Sequence, residues 1–270
     1  MEILTETTAY AGSIPAIYDR YLASLLFEPY AAETLTRLKA LQPTSLLELA
    51  SGTGILTRLL PEAFPDAQIL ASDIHPDTLQ VARQKIKDHY NLRWEVIDAT
   101  HMPLEDAEFD VVVANFGVMF FKDKPQAFKE VMRVLKPGGT FLFTVWDSIA
   151  FNTACNLADT TVARFFPANT PGFFQLPYSY NDDYIIKRSL HAAGFSETDI
   201  EVVSLMGYSP SPADAAKGLL QGTPANTAIM ERNGAALPAM EAALAEELRM
   251  HFGSKDIHVP MQAKVVRAVK

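Results

Sequence analysis

The chain has 270 residues and sets 23 Lys and Arg against 32 Asp and Glu, a formal charge of −9, with 49% hydrophobic and 20% charged residues. That is apolar material enough for one large domain, or a domain with a substantial appendage, and no low-complexity or charge-block segment points to disorder. The acid excess argues against nucleic acid as a partner, the single cysteine, Cys155, rules out an intramolecular disulfide and fits a reducing compartment, and the six histidines show no metal-ligand spacing.

No basic residue precedes Arg20 and no long apolar stretch opens the chain, so a secretory leader is not expected and a cytoplasmic protein is. From Ile14, the residues Ile17, Tyr18, Tyr21, Leu22 and Leu25 mark one face of a helix, which Pro29 is expected to interrupt. A second amphipathic stretch through Leu35, Leu38 and Leu41 ends before Pro43. Leu46 to Ala50 then reads as a short buried strand leading through a tight turn into a helix. Gln68 to Ser72 is the next strand, followed by a helix that starts at Pro76 and turns Leu79, Ala82 and Ile86 inward. Leu92 to Ile97 and Phe109 to Ala114 are the third and fourth strands, the latter a near-continuous apolar run suited to the interior of a parallel sheet. A helix from about Pro125, with Phe128, Val131, Met132 and Leu135 on one side, is expected to stop at Pro137-Gly138-Gly139, and Thr140 to Trp146 is the fifth strand.

The alternation then breaks. Residues 148–181 are rich in aromatics and prolines and read as an insertion; the prolines Pro167, Pro171 and Pro177 also prevent the longest uncharged run, Phe165 to Asn181, from forming a membrane helix. Asp182 caps a helix ended by Gly194, Ile200 to Tyr208 is a strand, and helices at about 212–221 and 237–252 precede a last strand at 257–269. The pattern predicts an α/β fold: a doubly wound, Rossmann-like, mostly parallel sheet of about seven strands, with an N-terminal helical lid and helical insertions near the C-terminal strands.

In such a sheet the ligand sits beyond the carboxyl ends of the strands, where strand order reverses. The first strand ends in Glu48-Leu49-Ala50-Ser51-Gly52-Thr53-Gly54, whose glycines leave room for a ligand against the backbone. The second ends at Asp73, 19 residues beyond Gly54, where a carboxylate can accept from a ribose diol or cap the helix that starts at Pro76. The third ends in Asp98-Ala99 and the fourth in Asn115-Phe116-Gly117. Acids after strands two and three suit a nucleoside lying across both.

Taken in order, these segments, with Phe109-Asp110-Val111-Val112-Val113-Ala114-Asn115 and Val134-Leu135-Lys136-Pro137-Gly138-Gly139, resemble the motifs of class I S-adenosylmethionine-dependent methyltransferases, most closely the small-molecule type 11 branch. The resemblance covers residues 46 to 147. It implies S-adenosylmethionine as cofactor, S-adenosylhomocysteine as product, and a division into a lid (1–45), a cofactor-binding core (46–147) and acceptor-pocket insertions with the last strands (148–270). It also implies that Glu48 and the turn of Ala50, Ser51, Gly52 and Gly54 lie near the methionine portion, Asp73 on the ribose, Ile74 against the adenine, Asp98-Ala99 at the adenine amine, and Asn115-Phe116 beside the methionine. The family commonly has glycine where this chain has Ala50.

A sulfonium methyl is already activated, so alignment and exclusion of water are the main requirements and a base is optional. Asp19, Glu28, His101 and Asp147 are the candidate bases, in no diagnostic pairing, and no catalytic residue or metal ligand is singled out. The expected acceptor is a small, partly apolar molecule in a pocket built from 148–181, with Phe173 and Phe174, and 212–252; no membrane partner is expected. Two rivals stay open. A non-catalytic protein that binds the cofactor would keep Asp73 and Asp98, whereas an NAD(P)-dependent oxidoreductase needs a third glycine where Ile55, Leu56 and Thr57 stand.

Overall fold

In the computed structural model, which describes residues 14–168 and 170–270, five segments form parallel strands: β1 (Ser45–Glu48), β2 (Gln68–Asp73), β3 (Leu92–Val96), β4 (Phe109–Asn115) and β5 (Leu135–Trp146). The first thirteen residues of the expected lid lie outside the described residues. With β6 (Glu197–Ser209) and β7 (Ile257–Val269) the sheet has seven strands in the order β3-β2-β1-β4-β5-β7-β6, and β7 runs antiparallel to β5. This is the expected doubly wound, mostly parallel sheet. Val111, Val112, Val113 and Ala114 of central β4 are all buried, as a strand covered on both faces requires. Strand order reverses between β1 and β4, so their carboxyl ends flank the ligand crevice.

The helices are α1 (Ile14–Ile17), α2 (Glu28–Leu41), α3 (Leu60–Ala63), α4 (Pro76–Lys85), α5 (Lys124–Val134), α6 (Thr153–Phe165), α7 (Asp183–Ala193), α8 (Pro212–Gln221), α9 (Ala225–Asn233) and α10 (Leu237–Phe252). Asp182 caps α7 by accepting from the N–H groups of Tyr184 and Ile185, and Gly194 ends it. No helix among the described residues is long and apolar enough to cross a membrane.

Several expected boundaries moved. Pro29 does not break the amino-terminal helix: residues Tyr18–Phe27 form a π-helix that runs directly into α2. The Glu28 N–H bonds to the Ala23 carbonyl, five residues back, and the Leu25 carbonyl, four residues before a proline that has no N–H, faces Gly207 so closely that a Cβ there would lie 1.8 Å from it. The chain after β1 enters turns and a 3₁₀ segment (Thr57–Leu59) before the four-residue α3, so the expected helix is a stub. Pro137-Gly138-Gly139 does not separate helix from strand. Strand β5 already begins at Leu135, because Leu135 pairs with Phe109 and the C-terminal Lys270 exchanges backbone hydrogen bonds with Gly138 and Gly139. The expected insertion at 148–181 contains the regular helix α6, and α9 was not foreseen.

By contacts the chain divides into two compact units whose boundaries fall after residues 29, 147, 179, 203 and 262, so the polypeptide passes repeatedly from one to the other. One unit holds residues 30–147, 180–203 and 263–270, and with them the parallel strands; the other holds the described residues 14–29 with those of 148–179 and 204–262. Within the second, α8 packs against both the π-helix and α10, and α6 packs against α10. Cys155, on α6, is buried there, and its thiol is pushed up to about 11 by burial.

Candidate functional site

The expected site residues all lie in the sheet-bearing unit, at the carboxyl ends of β1 to β4. Glu48, the last residue of β1, is buried and accepts a 2.6 Å hydrogen bond from Thr57 Oγ. Burial pushes its carboxyl up to about 8; the Thr57 hydroxyl works against that and the Asp73 charge adds to it. The turn that follows is stitched to its neighbours, with the Leu49 N–H donating to Val113 O and the Ser51 N–H to Ser72 O. Ser51 Oγ is buried with no hydrogen-bond partner among the described residues. Gly52 has φ +56° and open space where a side chain would stand, while a Cβ on Gly54 would lie 2.6 Å from Ile86 Cδ1, so the first glycine leaves room for a ligand and the second for the packing of α4.

Asp73 ends β2. Its Oδ2 accepts from the Gly52 N–H and its Oδ1 from the His75 N–H, both at 2.8 Å, so one carboxylate joins the glycine turn to the start of α4. It does not cap α4 in the usual manner: the N-cap residue is His75, which makes no side-chain cap bond, and Pro76 takes the first helical position. Ile74 follows with 43% of its surface exposed, an apolar face beside two polar loops. Asp98 is exposed and accepts from the N–H and hydroxyl of Thr100, and the Ile97 N–H donates to Asp73 O, which sets the β3 end beside the β2 end. Ala99 is buried.

At the end of β4 the Asn115 side chain accepts weakly from Thr34 Oγ at 3.4 Å. Phe116 has φ +58° and stacks on Trp146 at 4.1 Å, with Tyr30 edge-on to both rings and its hydroxyl on Val203 O. Ala50, also left-handed at φ +54°, points its methyl at Gly117, where a Cβ would come within 2.4 Å of it. The geometry therefore unites Ala50, Ser51, Gly52, Asp73 and Asn115-Phe116 around two adjacent loops. The sequence reading missed Thr57 and Gly117 as members; Gly117 was in plain view after Asn115-Phe116, whereas no local signal marks Thr57.

Among the candidate bases, Asp147 is buried at the end of β5, 3.8 Å from Lys264 Nζ, and His101 is exposed with its N–H on Asp98 O. Asp19 and Glu28 belong to the helical unit. Among the described residues no group of three or more His, Cys, Asp and Glu side chains is placed to hold a metal ion. Two buried carboxyl groups, a buried hydroxyl without a partner among the described residues, an open glycine and an exposed isoleucine thus stand at the carboxyl ends of β1 and β2.

The methyltransferase domain family matches residues 47–143. The demethylmenaquinone methyltransferase of Deinococcus radiodurans is 41% identical over 110 residues, 40% of this chain and 44% of that one. The ubiquinone/menaquinone biosynthesis C-methyltransferase UbiE of Idiomarina loihiensis is 29% identical over 170 residues, 58% of this chain and 68% of that one. The chain thus spans less than half the length of the Deinococcus relative. The YcgJ protein from Bacillus subtilis shares the fold, with a TM-score of 0.54 and 18% identity over 88% of this chain and 98% of its own.

Proposed function

We propose that residues 47–143, which match the methyltransferase domain family, form a class I S-adenosylmethionine-dependent methyltransferase domain of the type 11 branch, and that the chain transfers the methyl group of S-adenosylmethionine to a small, partly apolar acceptor by direct in-line displacement. The observation that carries the reading is the Asp73 carboxylate bonded to the open glycine turn of β1, at the point where strand order reverses. When bound, S-adenosylmethionine supplies a methyl already activated on sulfonium, leaving S-adenosylhomocysteine.

The chain's residues then have defined tasks. Glu48 and the Ala50 to Gly54 turn hold the methionine portion, with Ser51 Oγ as an available hydrogen-bonding group. Asp73 keeps lone pairs beyond those taken by Gly52 and His75, and these accept from the ribose hydroxyls. Ile74 covers the adenine, Asp98 and Ala99 bound its edge, and Asn115-Phe116 lie beside the methionine portion. Fixing both reactants in line and excluding water supplies on the order of 7 to 11 kcal/mol in favourable cases, so a general base is optional; an acceptor hydroxyl or ring carbon that loses a proton on methylation would pass it to a nearby base or to solvent. The names of the relatives favour an apolar, quinone-like ring as acceptor, which the aromatic segment 148–181 and the helices of 212–252 would enclose. A cytoplasmic setting agrees with the single buried thiol.

Calorimetry with S-adenosylhomocysteine and with NAD, followed by a mass-read methyl-transfer screen over small apolar acceptors, tests this. Binding of the first and not the second, with a product heavier by one methylene, is expected. Equal binding of both would reinstate an oxidoreductase, and binding without transfer to any acceptor would favour a non-catalytic cofactor binder.

A further inference from the structure

The loops after β1 and β4 meet where Gly117 faces the Ala50 methyl. Ala50 and Phe116 both occupy the left-handed region, at φ +54° and +58°, which costs non-glycine residues on the order of 1 to 3 kcal/mol and persists only where the surroundings over-determine it. The Ala50 methyl lies where Gly117 lacks a side chain: a Cβ on Gly117 would be 2.4 Å from Ala50 Cβ, far inside the ~3.5 to 4.0 Å of an ordinary carbon contact. The next nearest atoms to that Cβ, Ala50 Cα and Leu49 O, are both at 3.8 Å. Removing one methyl would therefore admit the other. Phe116, one residue before Gly117, is in turn anchored by its stack on Trp146.

We infer that Ala50 and Gly117 form an interlocked positioning pair, in which the Ala50 methyl acts as a stop that fixes the gap between the β1 and β4 loops and so the width of the cofactor crevice. The inference rests on the cofactor reading above for its functional consequence, but not for the contact itself. The backbone conformations sharpen it. Ala50 sits where glycine is favoured, whereas Gly117, at φ −94° and ψ −37°, sits where alanine is comfortable. The natural pair is thus the less stable of two arrangements with equal volume.

The test is a cycle of Ala50→Gly, Gly117→Ala and the double variant, read by thermal melting without ligand and by calorimetry with S-adenosylhomocysteine. Ala50→Gly should melt at or above the wild-type temperature yet bind several-fold more weakly, because it relieves the positive φ and removes the stop. A purely structural role would move both readouts the same way. Gly117→Ala should melt lower and bind about tenfold more weakly, since the added methyl forces the loops apart. The double variant should regain both, melting no lower than wild type and binding within about threefold of it. If Gly117→Ala is insoluble, recovery of a soluble double variant supports the pair and continued insolubility overturns it. Effects that simply add in the double variant, or Ala50→Gly binding unchanged, also overturn it. Should the wild type bind no S-adenosylhomocysteine, the cofactor reading fails, and the melting cycle alone still decides whether the two loops interlock.

Discussion

Asp73→Asn perturbs two things at once, and the structure separates them. In the ligand-free chain the carboxylate accepts one backbone N–H on each oxygen, from Gly52 and from His75, both at 2.8 Å. An asparagine offers one oxygen and one NH₂ group, so whichever way it turns, one of those N–H donors meets another donor. Leaving a buried donor unsatisfied costs about 1 to 3 kcal/mol, which should lower the ligand-free melting temperature by several degrees. Hydrogen bonds to charged groups are worth about 1.5 to 3 kcal/mol, so loss of the charged acceptor should weaken S-adenosylhomocysteine binding by roughly 10- to 150-fold at about 1.4 kcal/mol per factor of ten. Asp73→Ala removes both acceptors and should be worse on each count. Calorimetry and ligand-free melting on the three proteins check this. Near-native affinity in both variants would refute the ribose assignment, and an unchanged melting temperature in both would refute the account of the glycine turn.

The remaining expectations concern pH and the helical unit. The Glu48 carboxyl, raised to about 8 from 4.5 in the unfolded chain, keeps a proton in the fold that the unfolded chain gives up, so its share of stability is complete below about pH 4.5 and is lost as pH climbs through 8. Glu48→Gln should flatten the fall in denaturant midpoint between pH 5 and 8, and parallel curves for the two proteins would count against the buried neutral acid. At the opposite end of the sheet, partial burial pushes the Asp110 carboxyl up, but bonds donated by Lys136, Thr44 and Ser45 outweigh it and hold it well below the usual range. Its contribution is present at neutral pH and is lost as pH falls below about 4, so Asp110→Asn should be less stable at pH 7 and should converge on the wild type in acid; a constant difference across that range would be inconsistent with it. Phe174 is buried and Phe173, edge-on to it at 5.7 Å, is half-buried. Phe174→Ala should cost stability, about 3 to 5 kcal/mol, while Phe173→Ala should raise the acceptor KM with little change in cofactor affinity, and the reverse pattern for Phe173 would remove that segment from the acceptor pocket.

What could be read from the chain in advance was whatever its local chemistry controls. Val111 to Ala114 spell out a doubly covered strand because burial on both faces needs no polar alternation, and Asp182 and Gly194 bound α7 because caps act within one turn. The acid at the end of β2 was legible for a similar reason, since it stands at a strand terminus. Where the outcome depends on distant partners, local rules fail. Pro29 is accommodated by a π-helix whose Leu25 carbonyl lies against Gly207, nearly two hundred residues away, and no periodicity in residues 14–29 contains that neighbour. Helix α6 was obscured by the prolines and aromatics that follow it, although Ala154, Cys155, Ala158, Thr161 and Val162 keep a buried face. The same division runs through the site. Gly52 and Asp73 announce themselves singly, whereas Ala50 against Gly117 exists only once both backbones are in place, and an alanine that reads as a departure in sequence becomes one half of a fitted contact.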